Sequence, residues 1–273
     1  MTAGGKWTAP RIRALKGGKK IAMLTAGDTT TARLIDAAGI PCILVGDSLG
    51  MTMLGFPSTL PVTLEQMLHH TAAVARGVNQ ALVITDLPFM SYQASIEQAL
   101  LSAGRCLKEA NADAVKVEGG AVRAPTIRAL VENGIPVLGH IGILPQSVKT
   151  AGGYRVQGKT EAEADRLLDD ARAVAGAGAF AVVLEGMPPD VAAAITAAIE
   201  IPTIGIGAGP DCDGQVLVVH DLLGLTSGHV PKFAKQYANL GAAMSEAFAA
   251  YRSEVESGAF PSEAYTYRRE GGS

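Results

Sequence analysis

Short apolar segments alternate with longer segments of helical periodicity along most of the chain. In the longer segments apolar residues recur every three or four positions, which is typical of helices packed on one face. The predicted strands are residues 20–26, 42–46, 81–85, 114–118, 136–140, 180–184 and 203–206. The predicted helices are residues 30–38, 64–76, 95–110, 122–133, 160–177 and 190–200, and Thr160 with Glu163 has the S/T-x-x-E pattern of a capping box. Regular alternation of strand and helix indicates a parallel sheet with right-handed crossovers.

The region after the seventh strand allows two assignments. Residues 216–219 have the composition of a strand, but they begin about ten residues after strand seven, and a parallel crossover needs about a dozen or more. We therefore predict a helix over residues 213–223 capped by Asp213, a short eighth strand at 232–235 and a last helix over 240–254. Eight such units predict one (β/α)₈ barrel domain across the 273 residues, with the first ten residues and the tail from Ser257 outside the barrel.

Composition and charge exclude several classes of protein. Hydrophobic residues make up 48% and charged residues 18%, which suits a large core. The net charge of −3 indicates no nucleic-acid or membrane-surface partner. The N-terminal residues lack a signal-peptide pattern and no apolar run is long enough to span a membrane, so we expect a cytoplasmic protein. The 3 cysteines are too widely spaced for a disulfide framework or a metal cluster.

Four of the predicted strands end in an acidic residue. These residues are Asp47, Asp86, Glu118 and Glu185. A single acid in such a place is often only a turn residue or a helix N-cap. In a β/α barrel, however, the carboxyl ends of the strands surround the active site, so the four carboxylates would converge. Because converging carboxylates repel one another and raise one another's pKa, a positive charge is expected among them.

Lys116 is one candidate for that positive charge. It lies two residues before Glu118, so the two-residue period of a strand places both side chains on one face. If that face is the barrel interior, Val115 and Val117 face the helices. A buried Lys–Glu ion pair with a purely structural role would also explain this spacing.

A divalent cation is the other candidate. Oxygen ligands without a nearby His or Cys cluster favour Mg²⁺ or Mn²⁺ over Zn²⁺. Mg²⁺ commonly binds only one or two protein carboxylates directly and keeps several waters. We therefore expect Asp47 and Asp86 to bind the metal directly and Glu118 to reach it through a water molecule.

Short motifs along the chain resemble the ketopantoate (3-methyl-2-oxobutanoate) hydroxymethyltransferase family. They are residues 44–50 (LVGDSLG), 86–89 (DLPF), 115–120 (VKVEGG), 139–142 (GHIG), 152–159 (GGYRVQGK), 204–209 (IGIGAG) and 231–233 (PKF). They occur in order between Lys16 and Pro261, so the resemblance covers most of the chain. One departure is Gly27 in the segment TAGD, where the family usually has a tyrosine.

The resemblance implies a barrel of the phosphoenolpyruvate/pyruvate type, one bound Mg²⁺ per subunit and a homodecamer. Residue by residue, it implies metal binding by Asp47, Asp86 and Glu118, keto-acid binding by Asp47, Ser48, Asp86 and Lys116, and proton abstraction by Glu185. An oligomer is also indicated by the aromatic tail residues Phe260, Tyr265 and Tyr267, which a monomer would leave exposed.

The implied reaction is a one-carbon transfer in pantothenate biosynthesis. 5,10-Methylenetetrahydrofolate, as co-substrate, reacts with water and 3-methyl-2-oxobutanoate to give 2-dehydropantoate and tetrahydrofolate. The metal would polarise the ketone and stabilise an enolate, Lys116 would neutralise a substrate oxygen, and Glu185 would remove the proton. One alternative is a metal-dependent carbon–carbon lyase of the same barrel superfamily, although such lyases typically use a reactive cysteine in a lid loop and none lies between Cys106 and Cys212. Another is a non-catalytic keto-acid sensor, which would not require a base.

Other segments have more than one interpretation. Residues 205–210 (GIGAGP) resemble a dinucleotide fingerprint, but Pro210 replaces the third glycine, so we predict a tight turn at the barrel mouth. His140 ends a strand and either faces the site or is a hydrogen-bonded core residue. The glycines of residues 152–159 suit a mobile lid or an ordinary surface loop.

Overall fold

The computed structural model describes residues 5–226, 228 and 230–268, and its strands form a closed parallel barrel. Each strand pairs with the next, and β8 pairs with β1 to close the barrel. The strands are β1 Ile21–Thr25, β2 Cys42–Val45, β3 Leu82–Asp86, β4 Ala114–Glu118, β5 Val137–Gly142, β6 Ala181–Glu185, β7 Thr203–Ile206 and β8 Gly214–Leu217. The predicted α/β barrel class is confirmed.

Helices alternate with the strands along the chain and continue after the last strand. They are α1 Ala9–Arg13, α2 Thr29–Ala37, α3 Leu49–Thr52, α4 Leu64–Gly77, α5 Ile96–Ala110, α6 Ala124–Glu132, α7 Val148–Ala151, α8 Glu161–Gly176, α9 Pro189–Ala198, α10 Val219–Leu223 and α11 Leu240–Ser257. The first seven strands and the six helices predicted between them are present, with small shifts at their ends. At the start of α8, the Thr160 hydroxyl accepts the Glu163 N–H as predicted, but the Glu163 carboxylate accepts from Lys159 N–H instead of completing the capping box.

The predicted assignment of the last strand was wrong. Strand β8 is Gly214–Leu217, within the segment assigned to a helix, and residues 232–235 form no strand. The connection from β7 to β8 contains no helix. An extended chain covers about 3.3 Å per residue, so the loop of residues 207–213 is long enough to return along a strand of only 4 residues. Gly207 and Gly209, with φ of 62° and 82°, provide the predicted turn at the end of β7.

Two separate apolar layers position the strands. The barrel interior contains side chains such as Met23, Leu82 and Leu138, whereas Val115 and Val117 pack outward in the layer beneath the helices, as expected. Helix α1 begins in a segment that we expected to lie outside the barrel. Its Ile12 is fully buried in the interior cluster, where a large aliphatic side chain contributes about 1.5–3 kcal/mol.

The chain divides into two compact units, Met1–Val219 and His220–Ser273. All eight strands lie in the first unit. The second contains the 18-residue helix α11, which has no buried residue. Phe260 contacts the rings of Tyr251 and Tyr265 at centroid distances of 5.7 and 5.6 Å. Among the described helices, none combines the length and hydrophobicity required to cross a membrane.

Candidate active site

The predicted acidic residues meet at the carboxyl end of the barrel strands. Asp86, Glu118 and Glu185 are the last residues of β3, β4 and β6, and Asp47 follows β2. Asp47, Asp86 and Glu118 are buried, and Glu185 is partly buried. A strand that is buried on both faces is mostly apolar, and in a β/α barrel the residues at its carboxyl end face the barrel mouth. This explains why the acids end the apolar runs.

Asp47, Asp86 and Lys116 form one side of the site. The Asp47 backbone N–H donates to Asp86 Oδ2 at 3.0 Å, which links the ends of β2 and β3. Lys116 Nζ lies 2.8 Å from Asp86 Oδ1, 3.9 Å from Glu118 Oε1 and 3.2 Å from His140 Nδ1. The lysine therefore balances more than one carboxylate, and it lies closer to Asp86 on the neighbouring strand β3 than to Glu118 on its own strand.

His140 connects Glu118 to Glu185. It is 2% exposed, so it faces the site and not the solvent. Its Nδ1 lies 3.6 Å from Glu118 Oε1, and its Nε2 lies 3.1 Å from Glu185 Oε2. The ring is not aligned for a good hydrogen bond to Glu185, so this is an ion-pair contact when the imidazole is protonated. Of the two interpretations of His140, the structure supports the one in which it faces the site.

Burial and neighbouring charges both shift the pKa values of these groups. Burial raises the pKa of Asp47, and the nearby carboxylates of Asp86 and Glu118 raise it further. Burial also raises the pKa of Asp86, although Lys116 opposes this. For Lys116, burial alone would lower the pKa, but the surrounding carboxylates raise it above its ordinary value, so the ammonium group stays charged. The raised pKa of Asp47 thus reflects its burial first and the two neighbouring carboxylates second.

Glu118 behaves differently from the two aspartates. Burial acts to raise its pKa, but contact with His140 and attraction to Lys116 lower it below the usual value. The two carboxylates beside His140 outweigh burial and the charge of Lys116, and they raise the pKa of His140 to about 9. The site thus has a carboxylate–imidazole–carboxylate row beside the Lys116–Asp86 ion pair.

Gln146 and Tyr92 belong to the site, although the sequence analysis did not identify either. The Gln146 side chain donates from Nε2 to Asp47 Oδ2, and its backbone N–H donates to Glu118 Oε2. The Tyr92 hydroxyl donates to Gln146 Oε1 and accepts the Glu118 N–H. Gln146 lies just after β5 in a short 3₁₀ turn, and no periodicity or motif in the sequence marks it.

The donor set fits a hard divalent cation. Each of the three predicted metal-binding acids has one oxygen held by a protein N–H, and Glu118 Oε1 is buried without a hydrogen-bond partner in the described part of the chain. Within residues 5–226, 228 and 230–268, no group of three His, Cys, Asp or Glu side chains could hold a metal. Mg²⁺ commonly takes only one or two protein carboxylates directly.

Side chains of other loops lie around this mouth. Ser48 is partly buried at the start of α3, directly after Asp47. A β-carbon at Gly27 would lie 2.4 Å from Met53 Sδ, so Met53 occupies the space beside this glycine. In the loop of residues 152–159, Tyr154 Oη approaches Met51 Sδ at 3.9 Å. Burial and the charges of Asp47 and Glu185 raise the pKa of Tyr154.

The fold and the site define an α/β barrel enzyme with carboxylates, a lysine and a histidine at its carboxyl mouth. Solved structures with a similar fold include a phosphonopyruvate hydrolase (14% identity, TM-score 0.62, covering 96% of this chain and 92% of that one). Another is a 2,3-dimethylmalate lyase, described as a PEP mutase/isocitrate lyase superfamily member (16% identity, TM-score 0.62, covering 95% and 89%). At these identities the similarity shows the fold alone.

Sequence comparison identifies the family. The profile of ketopantoate hydroxymethyltransferase matches residues 6–263. The 3-methyl-2-oxobutanoate hydroxymethyltransferase of Moorella thermoacetica is 54% identical over 98% of this chain and 100% of its own length, and that of Syntrophobacter fumaroxidans is 58% identical over 93% and 90%. The chain belongs to the ketopantoate hydroxymethyltransferase family. The resemblance found from its motifs is confirmed.

Proposed function

We propose that this enzyme transfers a hydroxymethyl group from 5,10-methylenetetrahydrofolate to 3-methyl-2-oxobutanoate. With one water consumed, the products are 2-dehydropantoate and tetrahydrofolate, as a step of pantothenate biosynthesis. The observation that carries the proposal is the position of Glu185, a partly buried carboxylate 3.1 Å from His140 and on the same mouth as the Lys116–Asp86 pair. This position puts a candidate base beside a site whose lysine and carboxylates suit a keto acid. The chain that carries this site belongs to the ketopantoate hydroxymethyltransferase family.

We assign the proton transfer to Glu185. The carboxylate would take the proton from the carbon next to the ketone, which is general-base catalysis. His140 is buried 3.1 Å from Glu185 and would hold the carboxylate in place. Lys116 Nζ would neutralise negative charge on a substrate oxygen, because a fixed cation in a buried site stabilises charge that develops there. Ser48 and Asp86 would contact the keto acid beside Asp47.

We assign the metal site to the acids on β2, β3 and β4. Asp47 and Asp86 would bind one Mg²⁺ per subunit directly, and Glu118 would hold it through a water molecule. When bound, the cation supplies Lewis-acid polarisation of the ketone oxygen. Glu118 Oε1, which has no hydrogen-bond partner among the described residues, and the raised pKa of Asp47 support this assignment, because a nearby cation would stabilise both carboxylates.

The lyase alternative is not favoured. Lyases of this barrel type typically use a reactive cysteine in a lid loop, whereas Cys42, Cys106 and Cys212 are all buried free thiols. Burial raises the pKa of Cys106 to about 12, which keeps it from being a thiolate at neutral pH. The sensor alternative leaves Glu185 without a role.

We also propose a homo-oligomeric enzyme, with a decamer as the state implied by the family. The support is helix α11, in which Leu240, Met244, Phe248, Tyr251 and Val255 are large, exposed apolar residues. Their spacing places them on one face of the helix, and such a stripe is typical of a contact surface. A cytoplasmic location is proposed with it, since three buried, unpaired cysteines suit a reducing compartment.

The direct test is a turnover assay of 3-methyl-2-oxobutanoate with 5,10-methylenetetrahydrofolate. Product formation should require both substrates, should cease with EDTA and should return on addition of Mg²⁺. A parallel reaction with 2-methylisocitrate tests the lyase alternative. Binding of the keto acid without formation of 2-dehydropantoate would favour a sensor and overturn the proposed function.

A further inference from the structure

The side chain of Gln146 stands between the acids assigned to the metal. It is 5% exposed and belongs to the β5 loop, far in sequence from Asp47. Its Nε2 donates to Asp47 Oδ2 and to the backbone oxygen of Leu87, both at 2.9 Å. Its backbone N–H donates to Glu118 Oε2 at 3.0 Å. One residue therefore contacts two of the three predicted metal-binding carboxylates.

The hydrogen bonds leave the Gln146 amide a single orientation. Both Nε2 protons are used, on Asp47 and Leu87, and Oε1 accepts from Tyr92 Oη at 2.8 Å and from Gln93 Nε2 at 3.0 Å. A flip of the amide would place its oxygen against the acceptors on Asp47 and Leu87 and its NH₂ against the amide nitrogen of Gln93. Because every donor and acceptor is satisfied, the amide behaves as a rigid, buried group.

This arrangement determines which carboxylate oxygens are available. The Gln146 side chain engages Oδ2 of Asp47 and leaves Oδ1 for another partner. The Gln146 backbone engages Oε2 of Glu118 and leaves Oε1, the buried oxygen without a hydrogen-bond partner in the described residues. Residues that orient metal-binding carboxylates in this way determine the affinity of a site without contacting the metal.

We propose that Gln146 is a positioning residue for a divalent-cation site formed by Asp47, Asp86 and Glu118. It turns one oxygen of Asp47 and one of Glu118 toward a hard cation such as Mg²⁺. The inference rests on the metal assignment within the proposed function. A residue that acts by orienting these carboxylates should weaken metal binding, when it is lost, much more than it slows the enzyme once the metal is bound.

The test is a calorimetric titration of the metal-free protein with Mg²⁺, comparing wild type with Gln146→Met and Gln146→Asn. The methionine keeps the length of the side chain without its hydrogen bonds, and the asparagine keeps an amide that is too short to reach Asp47. Both keep the backbone N–H that donates to Glu118. We expect Mg²⁺ binding to weaken about 10–100-fold in each. The Mg²⁺ concentration for half-maximal turnover should rise by a similar factor, while kcat at saturating Mg²⁺ stays within a few-fold of wild type.

A matched control is Gln98→Met. Gln98 Nε2 also donates to a backbone oxygen, that of Met90, but Gln98 has no bond to the acids. This variant should bind Mg²⁺ like wild type. Thermal unfolding in EDTA separates loss of stability from loss of affinity, because a purely structural role would lower the melting temperature without changing the affinity of the folded protein.

Several outcomes would overturn the inference. The inference fails if folded Gln146→Met or Gln146→Asn binds Mg²⁺ with wild-type affinity. It also fails if neither variant folds, because Gln146 would then have a structural role. Absence of Mg²⁺ binding by the wild type would overturn the metal assignment together with the inference. If the wild type binds Mg²⁺ but lacks the proposed turnover, the proposed function fails while the titration still decides the role of Gln146.

Discussion

Gly142 and Glu185 approach each other so closely that a β-carbon on Gly142 would lie 2.1 Å from the backbone oxygen of Glu185. The two residues are register partners at the ends of β5 and β6. Gly142 also has a φ of 98°, a conformation that side-chain-bearing residues rarely adopt. The glycine thus allows the strand that carries the proposed base to lie against the strand that carries His140.

We predict that Gly142→Ala destabilises the barrel and displaces Glu185. The backbone conformation alone should cost about 1–3 kcal/mol, and the steric clash adds to this. Denaturant unfolding measures the stability, and turnover of the folded fraction should fall as well. Gly104→Ala is the matched control, since Gly104 lies in α5 with no atom within 4 Å of an added β-carbon. It should stabilise the protein by about 0.5–1 kcal/mol. Equal effects of the two substitutions would contradict the steric argument.

A second prediction concerns the three acids assigned to the metal. Asp47→Ala and Asp86→Ala should each abolish Mg²⁺-dependent turnover while the barrel remains folded, because both are assigned as direct ligands. Glu118→Ala should weaken Mg²⁺ binding less, by about 10–100-fold, as expected for a residue that acts through water. Calorimetric Mg²⁺ titration compares the variants, with circular dichroism as the control for folding. If Asp47→Ala binds Mg²⁺ with unchanged affinity, the assignment of Asp47 as a metal ligand is wrong.

The acids could be predicted from the sequence because their positions follow from a local pattern. Asp86, Glu118 and Glu185 each end a run of strand residues, and the barrel geometry then brings those ends together. Lys116 follows from the two-residue period relative to Glu118. Gln146 could not be found in this way. Its partners Asp47 and Tyr92 are 99 and 54 residues away, and only the folded barrel brings them together.

Strand β8 shows a different limit of sequence reasoning. The apolar residues from Val216 onward had the right pattern, but a general rule on crossover length argued against a strand. The rule describes connections that contain a helix. Strands β7 and β8 have only 4 residues each, so a short extended loop suffices to join them in parallel.

A third prediction tests the exposed apolar face of α11. Phe248 lies near the middle of that face and is 65% exposed. Phe248→Glu should place a charge in the proposed subunit contact and shift sedimentation from a large oligomer toward smaller species. Ser253→Glu, on the opposite face of the same helix, should leave the oligomer unchanged. A wild type that sediments as a monomer at micromolar concentration would contradict both the oligomer and the decamer.

A fourth prediction concerns the pH dependence of stability through Asp213. Burial acts to raise the pKa of Asp213, but hydrogen bonds from Thr203 N–H and Gly17 N–H and the ion pair with Lys16 lower it below its usual value. The carboxylate therefore stabilises the fold above its unfolded pKa of about 3.9, and this contribution is lost as the pH falls through the lower folded pKa.

Asp213→Asn should thus cost about 2 kcal/mol at pH 7, where the charge-assisted bonds are present. The difference from wild type should shrink as the pH falls below about 4, toward the protonated state. Urea unfolding at several pH values measures this, and Asp211→Asn, at an exposed site two residues away, is the control. A difference that stays constant down to acidic pH would show that the charge of Asp213 is not responsible.

The final prediction isolates the base. Glu185→Gln keeps the size of the side chain and leaves Asp47, Asp86 and Glu118 in place, so Mg²⁺ and the keto acid should still bind. Proton abstraction should nevertheless be slower by about 10²–10⁴-fold, the usual cost of removing a general base. The step can be followed without the folate, by NMR detection of exchange of the substrate's β-proton in deuterated water. Wild type should exchange this proton only with metal present, and the variant should be nearly silent despite normal binding. Exchange at the wild-type rate in Glu185→Gln would move the base elsewhere, and His140, 3.1 Å from Glu185, would be the next residue to test.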